Sequence, residues 1–147
     1  PSRIIWFKEK YPDLDKKIYI WTDFSNYLLR RWMKNKDIDI SYSVASWTGL
    51  LNRKKLTWYT PGLHFIALNE DNLPNLSPYT KTVEGLNTEY SKRWTKLAKV
   101  PFFLPVGDGA SSNIGVGCNS ENKIALSIGT TGALRVLTNK SKINIEF

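Results

Sequence analysis

Cysteine is nearly absent from this 147-residue chain. Cys118 is the only one, so no internal disulfide can staple the fold and no cysteine-cluster zinc site can form. Histidine is equally scarce: His64 stands alone, which excludes a multi-histidine metal centre and leaves a Ser-His-Asp triad one candidate base. No apolar run of about 18 residues occurs, so the sequence offers no membrane span. A charged-then-apolar leader, internal repeats and low-complexity tracts are lacking as well.

What is present suffices for a folded core: 41% hydrophobic residues, 13% aromatic with six tryptophans, and 23% charged. Lys and Arg number 21 against 13 Asp and Glu, a net charge of +8. The excess is uneven. Residues 1–100 hold 17 basic and 10 acidic residues, whereas residues 101–147 hold 4 and 3, so the glycine-rich last third does not act through a cationic field. The chain opens at Pro1 without an initiator Met and stops within the strand-like alternation Ile143 to Phe147; both features read as an excerpt of a longer protein.

Periodicity predicts a helical first part. Residues 2–10 form a short helix with Ser2 as cap, ending before Pro12. Ile18 to Trp21 leans to strand. Thr22 or Asp23 caps a helix running to Lys34, with Phe24, Tyr27, Leu28, Arg31 and Trp32 spaced to share a face. Ser41 to Leu51 is open between helix and loop. A helix within Trp58 to Leu68 has Thr60 as cap, Pro61 in its first turn, and Leu63, Ile66 and Ala67 inward. Residues 69–80 read as loop, and 87–97 as a short helix with Tyr90, Trp94 and Leu97 on one side. The character changes near residue 99. Phe102 to Val106 reads as a buried strand, Ile124 to Leu137 as a hairpin turning at Gly129 to Gly132, and Lys140 to Phe147 as a third strand.

Two features could carry chemistry. Asp108 follows the Phe102–Val106 run between two glycines, and an acid at a strand's C-terminal end before a helix commonly faces a ligand crevice. Its plainer reading is a helix N-cap. The Gly129-Thr130-Thr131-Gly132 turn can aim N–H and hydroxyl groups at a phosphate, or be an ordinary hairpin turn. Together they would supply the two needs of phosphoryl transfer: a carboxylate to accept a hydroxyl proton, and donors for nucleotide phosphates. Of the tryptophans, mostly packing residues by spacing, Trp47 sits among small polar residues and is the first candidate sugar platform. Cys118 reads as a small buried filler, His64 as packing or surface, and Arg53 to Lys55 as a solvated face.

The stretches Val106 to Cys118 (Gly-Asp-Gly-Ala at its start) and Ile124 to Val136 (Gly-Thr-Thr-Gly-Ala-Leu-Arg within) resemble the start of the second domain of FGGY carbohydrate kinases. Asp39 to Asn52, Leu56 to Trp58 and Leu73 to Leu76 resemble the end of the first domain, and Arg3 to Lys8 fits the preceding helix. The Gly-Asp-Gly-Ala and Gly-Ala-Leu-Arg versions look most like gluconokinases. The resemblance implies an α/β fold, part of the actin-like, ribonuclease-H-like ATPase architecture. Residues 1–99 would then end the N-terminal domain and residues 100–147 begin the C-terminal one.

It makes Asp108 the match for the catalytic base and a substrate contact, and Gly109 a sugar neighbour through backbone alone. Gly129, Thr130 and Thr131 match the second phosphate-contacting loop. ATP, Mg²⁺ and a carbohydrate, gluconate foremost, are the implied ligands of a cytoplasmic kinase, with no nucleic acid or membrane partner and a homodimer left open. The family's first phosphate hairpin and its adenosine loops have no counterpart here, so the fragment alone is expected to be inactive. Two other classes stay open on sequence: a basic, aromatic-rich nucleic-acid-binding module, against which the basic residues are scattered, and a catalytically silent actin-like regulator.

Overall fold

The computed structural model describes residues 1–140. Its first unit runs over Pro1–Val106 and its second begins at Gly107. In the first unit, α1 (Ser2–Lys10) and the short α2 (Pro12–Asp15) meet at Tyr11, where Pro12 lacks the N–H that would continue α1. Pro1 holds the cap position without a side-chain bond, so Ser2 lies inside the helix rather than capping it. The strand expected over Ile18 to Trp21 does not form. Trp21 N–H goes to the Asn72 carbonyl at 2.8 Å, and among the described residues no strand pairs with the run.

Asp23 starts α3 (Phe24–Trp32), its carboxylate accepting from the N–H groups of Ser25 and Asn26 at 2.8 and 3.2 Å. The residues that turn inward are not the set whose spacing lets them share a face. Asn26 and Leu29 are buried, followed by Met33, while Phe24 and Tyr27 are exposed. Asn26 accounts for the rotation. Its amide donates to the carbonyls of Ile38 and Asp39 at 3.0 and 2.8 Å, and its oxygen accepts from Thr22 and Arg30 at 2.8 and 2.7 Å. A polar side chain so fully partnered is stable inside.

β1 (Ile40–Ser41) leads into α4 (Tyr42–Ala45), whose cap is the Ser41 hydroxyl accepting from Val44 N–H at 3.1 Å. A 3-10 turn over Ser46–Thr48 follows and ends at Gly49, whose φ of 72° is a left-handed value suited to glycine. The Ser41 to Leu51 stretch is therefore mainly helical. β2 (Leu51–Asn52) and β3 (Thr57–Trp58) pair antiparallel. α5 (Thr60–Phe65) takes Thr60 as its first residue rather than its cap, with Pro61 in the first turn. Leu63 and Ile66 are buried as expected, but Ala67 is exposed and left-handed, with φ 52°.

β4 (Leu76–Ser77) lies in the stretch composition reads as loop; it pairs parallel with β1, Ile40 opposite Leu76 and Ser41 opposite Ser77. β5 (Thr82–Val83) is followed by α6 (Thr88–Arg93), capped by Asn87, and then by β6 (Phe102–Phe103), which pairs antiparallel with β5. Only those two residues of the Phe102 to Val106 run form a strand. Leu104 is buried, whereas Phe103 and Val106 are exposed. One core of this unit gathers Ile40, Ala45, Leu50, Trp58, Leu63 and Ile66, and the other Leu29, Met33, Ile38, Leu86, Tyr90 and Leu104.

The second unit holds α7 (Asp108–Gly115) and the hairpin of β7 (Ile124–Ile128) and β8 (Gly132–Val136). Ile124 faces Val136 at its base and Ile128 faces Gly132 at its tip. Cys118 is the buried filler expected and more, because its thiol donates to the Lys123 carbonyl at 3.0 Å while its N–H bonds the Asn113 carbonyl at 2.8 Å. These bonds fasten the end of α7 to the start of β7. Beyond Lys140, the expected third strand lies outside the described residues.

Candidate functional site

Asp108 is the first residue of α7, and Gly107 occupies the cap position without a side-chain cap bond. Asp108 is therefore not the helix N-cap of the plainer reading. Its side chain is exposed, and Oδ1 accepts from the N–H of Gly109 at 2.7 Å. The first turn of a helix carries unpaired N–H groups and a positive dipole end, which favour a negative charge there. Gly109 is buried, and its N–H is directed at the carboxylate.

Gly129, Thr130 and Thr131 form the connection between β7 and β8, all three exposed, with Gly129 N–H bonding the Thr131 carbonyl at 3.1 Å. A Cβ added at Gly129 or Gly132 would meet nothing within 4 Å, and neither glycine has a positive φ. Packing within this unit thus makes no demand for glycine at either corner, and the bare backbone leaves the turn open to close approach. The turn and Asp108 belong to the same unit but to separate elements, the hairpin tip and the start of α7. The hairpin that carries the turn is held in register at Arg135, whose guanidinium donates to Ser127 Oγ at 3.3 Å.

The first unit contains a polar cluster that sequence pattern did not single out. Asp39, in the buried run from Ile38 to Ser41, accepts from the Ser77 hydroxyl and from the Lys81 ammonium through Oδ2. Its only trace in the sequence is the polar-apolar alternation of Ile38, Asp39, Ile40 and Ser41. Trp47 is 63% exposed and lines a concavity with Trp6, Trp21 and Trp58; Trp58 is 6% exposed and donates from its indole to the Pro74 carbonyl at 3.1 Å. His64 is exposed. Arg31 donates to the Tyr90 hydroxyl at 2.9 Å, and this bond, with Tyr27, raises the guanidinium further above its already high range. Its charge at neutral pH is unaffected.

Among the described residues no three His, Cys, Asp or Glu side chains are grouped to hold a metal ion. No helix of the described residues is long and apolar enough to cross a membrane.

A gluconokinase of Bacillus licheniformis is 30% identical over 139 residues, covering 95% of this chain and 27% of that protein. The chain thus spans little more than a quarter of the curated relative's length. Ligand-bound xylulose kinase from Lactobacillus acidophilus superposes with a TM-score of 0.86 at 28% identity, over 97% of this chain and 29% of that one. Gluconate kinase from the same organism gives 0.86 at 28% identity, over 96% and 28%. These neighbours have the actin-like ATPase fold, of which this chain is a mixed helix-and-strand part. With the N-terminal domain of the family matched over residues 1–115, the chain belongs to the FGGY family of carbohydrate kinases.

Proposed function

We propose that this chain is one segment of an ATP-dependent sugar or sugar-acid kinase in which Asp108 is the general base. A sugar hydroxyl is a poor nucleophile until its proton has an acceptor. Asp108 would take that proton as the bond to phosphorus forms, help typically worth roughly 10²–10⁴-fold in rate. The observation that carries this reading is its exposed carboxylate in the first turn of α7, beside Gly107 and steadied by Gly109 N–H. Gly109 would approach the sugar through its backbone.

Gly129, Thr130 and Thr131 would contact the nucleotide phosphates. The hydroxyls of two exposed threonines, on a turn with unfilled space at its glycines, are donors suited to a phosphate anion. Magnesium would accompany ATP and neutralise charge on its phosphates during the transfer. Residues 1–99 would close the family's first domain and 100–147 open the second. That seam lies a few residues ahead of the unit boundary at Val106, and the family match runs on to residue 115.

Gluconate is the acceptor we favour, on the gluconokinase relative and the gluconate kinase neighbour; the xylulose kinase neighbour makes xylulose the second reading. The intact kinase would work in the cytoplasm, and this segment alone would not turn over ATP. ADP release by the intact kinase, assayed with gluconate, xylulose and glycerol, tests the assignment. Gluconate should give the highest kcat/KM; preference for xylulose would overturn the acceptor, and no sugar-dependent release would overturn the activity.

A further inference from the structure

The concavity that Trp6, Trp21, Trp47 and Trp58 line in the first unit has a volume of about 860 Å³, within the size range of small-molecule sites. Two of these side chains are structural. Trp58 packs into the core around Leu63, and Trp21 stands edge-on to Phe7 with ring centroids 5.4 Å apart. Trp6 and Trp47 keep more than half of their surface exposed, and neither indole N–H has a hydrogen-bond partner among the described residues.

Arg3, Thr22 and Asp23 bring polar groups to the same lining. Arg3 is exposed, and among the described residues its guanidinium makes no hydrogen bond or ion pair. The Lys10 ammonium lies 5.1 Å from the centre of the Trp6 ring, so two cations border the tryptophans. The Asp23 carboxylate is divided: Oδ1 caps α3, whereas Oδ2 is buried without a partner among the described residues.

These groups select a ligand class. Arg3 and Lys10 disfavour a cation on indole faces that would otherwise attract one, and a wholly apolar ligand would desolvate Arg3 without pairing it. An unpaired guanidinium is matched by a carboxylate, which it can hold through two parallel N–H bonds. An enclosed carboxylate oxygen without a donor is matched by a hydroxyl. An exposed indole face is matched by a run of C–H groups. We propose that this concavity is a binding site for a polyhydroxy carboxylate, with the carboxylate on Arg3, a hydroxyl donating to Asp23 Oδ2, and the carbon chain against Trp6 and Trp47. The site is built from first-unit residues alone and does not depend on Asp108.

Gluconate is the probe, titrated into the chain at constant ionic strength with the tryptophan indole N–H signals followed by NMR. The Trp6 and Trp47 signals should shift together and saturate at concentrations on the order of millimolar, the range open to a ligand of so few atoms. The Trp94 signal, which belongs with the other core, should stay in place. Glucitol carries the same hydroxyl chain without the charge and should bind roughly 10-fold more weakly, the worth of a charge-assisted hydrogen bond. Arg3→Gln should lower gluconate to the glucitol level, and Trp47→Ala should weaken both about 2–10-fold. Both replaced side chains are exposed, so the fold should be kept. Trp6 and Trp47 signals unmoved by gluconate would overturn the proposal, as would full gluconate affinity in Arg3→Gln. Equally tight binding of benzoate, a carboxylate without hydroxyls, would overturn it too.

Discussion

The Lys81 ammonium donates to Asp39 Oδ2, the same oxygen that receives the Ser77 hydroxyl, so one carboxylate joins the strand pair β1–β4 to the residue preceding β5. The two ends of the ion pair differ in burial. The Asp39 side chain is nearly enclosed, whereas that of Lys81 is about half exposed. Loss of Lys81 leaves a carboxylate still bonded to Ser77, and loss of Asp39 leaves a buried hydroxyl without its acceptor.

Asp39→Ala should therefore destabilise the chain by about 1–3 kcal/mol, the cost of stranding a buried polar group. Lys81→Met should cost no more than about 1 kcal/mol, as for a half-exposed pair. Urea denaturation of both variants checks this, and a larger loss for Lys81→Met would reverse the argument.

Trp58 and Trp47 separate packing from surface among the tryptophans. Trp58→Ala empties a site in the first core and removes the indole bond to Pro74, so it should cost about 3–5 kcal/mol. Trp47→Ala should stay within about 0.5 kcal/mol, as for exposed positions generally. Thermal melts of the two variants decide the ordering.

The contrast between these residues shows what the sequence made legible. The helices over residues 2–10 and 24–32, and the hairpin from Ile124 to Val136, follow from caps, proline positions and strict alternation, which are local signals. The β1–β4 pair could not be read in that way. Leu76–Ser77 is a two-residue strand among Asn, Pro and Ser, and its partner lies across a long stretch of chain, so only tertiary pairing defines it. The inward face of α3 does not follow from spacing, for a related reason. Spacing rewards Phe24 and Tyr27, but the interior is claimed by Asn26 because carbonyls of Ile38 and Asp39 await its amide. At the candidate site, Asp108 and the Gly129–Thr131 turn were visible as glycine-flanked polar residues beside apolar runs.

Ala67 offers a test of backbone strain. It stands after α5 with φ 52°, where glycine is the usual occupant and an L-residue is disfavoured. The side chain is exposed, so nothing is lost by its removal. Ala67→Gly should raise stability by about 0.5–1 kcal/mol after the greater flexibility of glycine in the unfolded chain is counted. A lower melting temperature would show that the helix ends otherwise.

The proposed activity depends on the carboxylate at the start of α7. Asp108→Asn keeps size and shape at an exposed position, and an amide oxygen can still accept from Gly109 N–H, so folding should be unaffected. What it loses is the capacity to take a proton. We expect sugar-dependent ADP release by the intact kinase to fall by roughly 10²–10⁴-fold in Asp108→Asn, with unchanged thermal stability. Turnover within a few-fold of the parent enzyme would contradict the role given to Asp108.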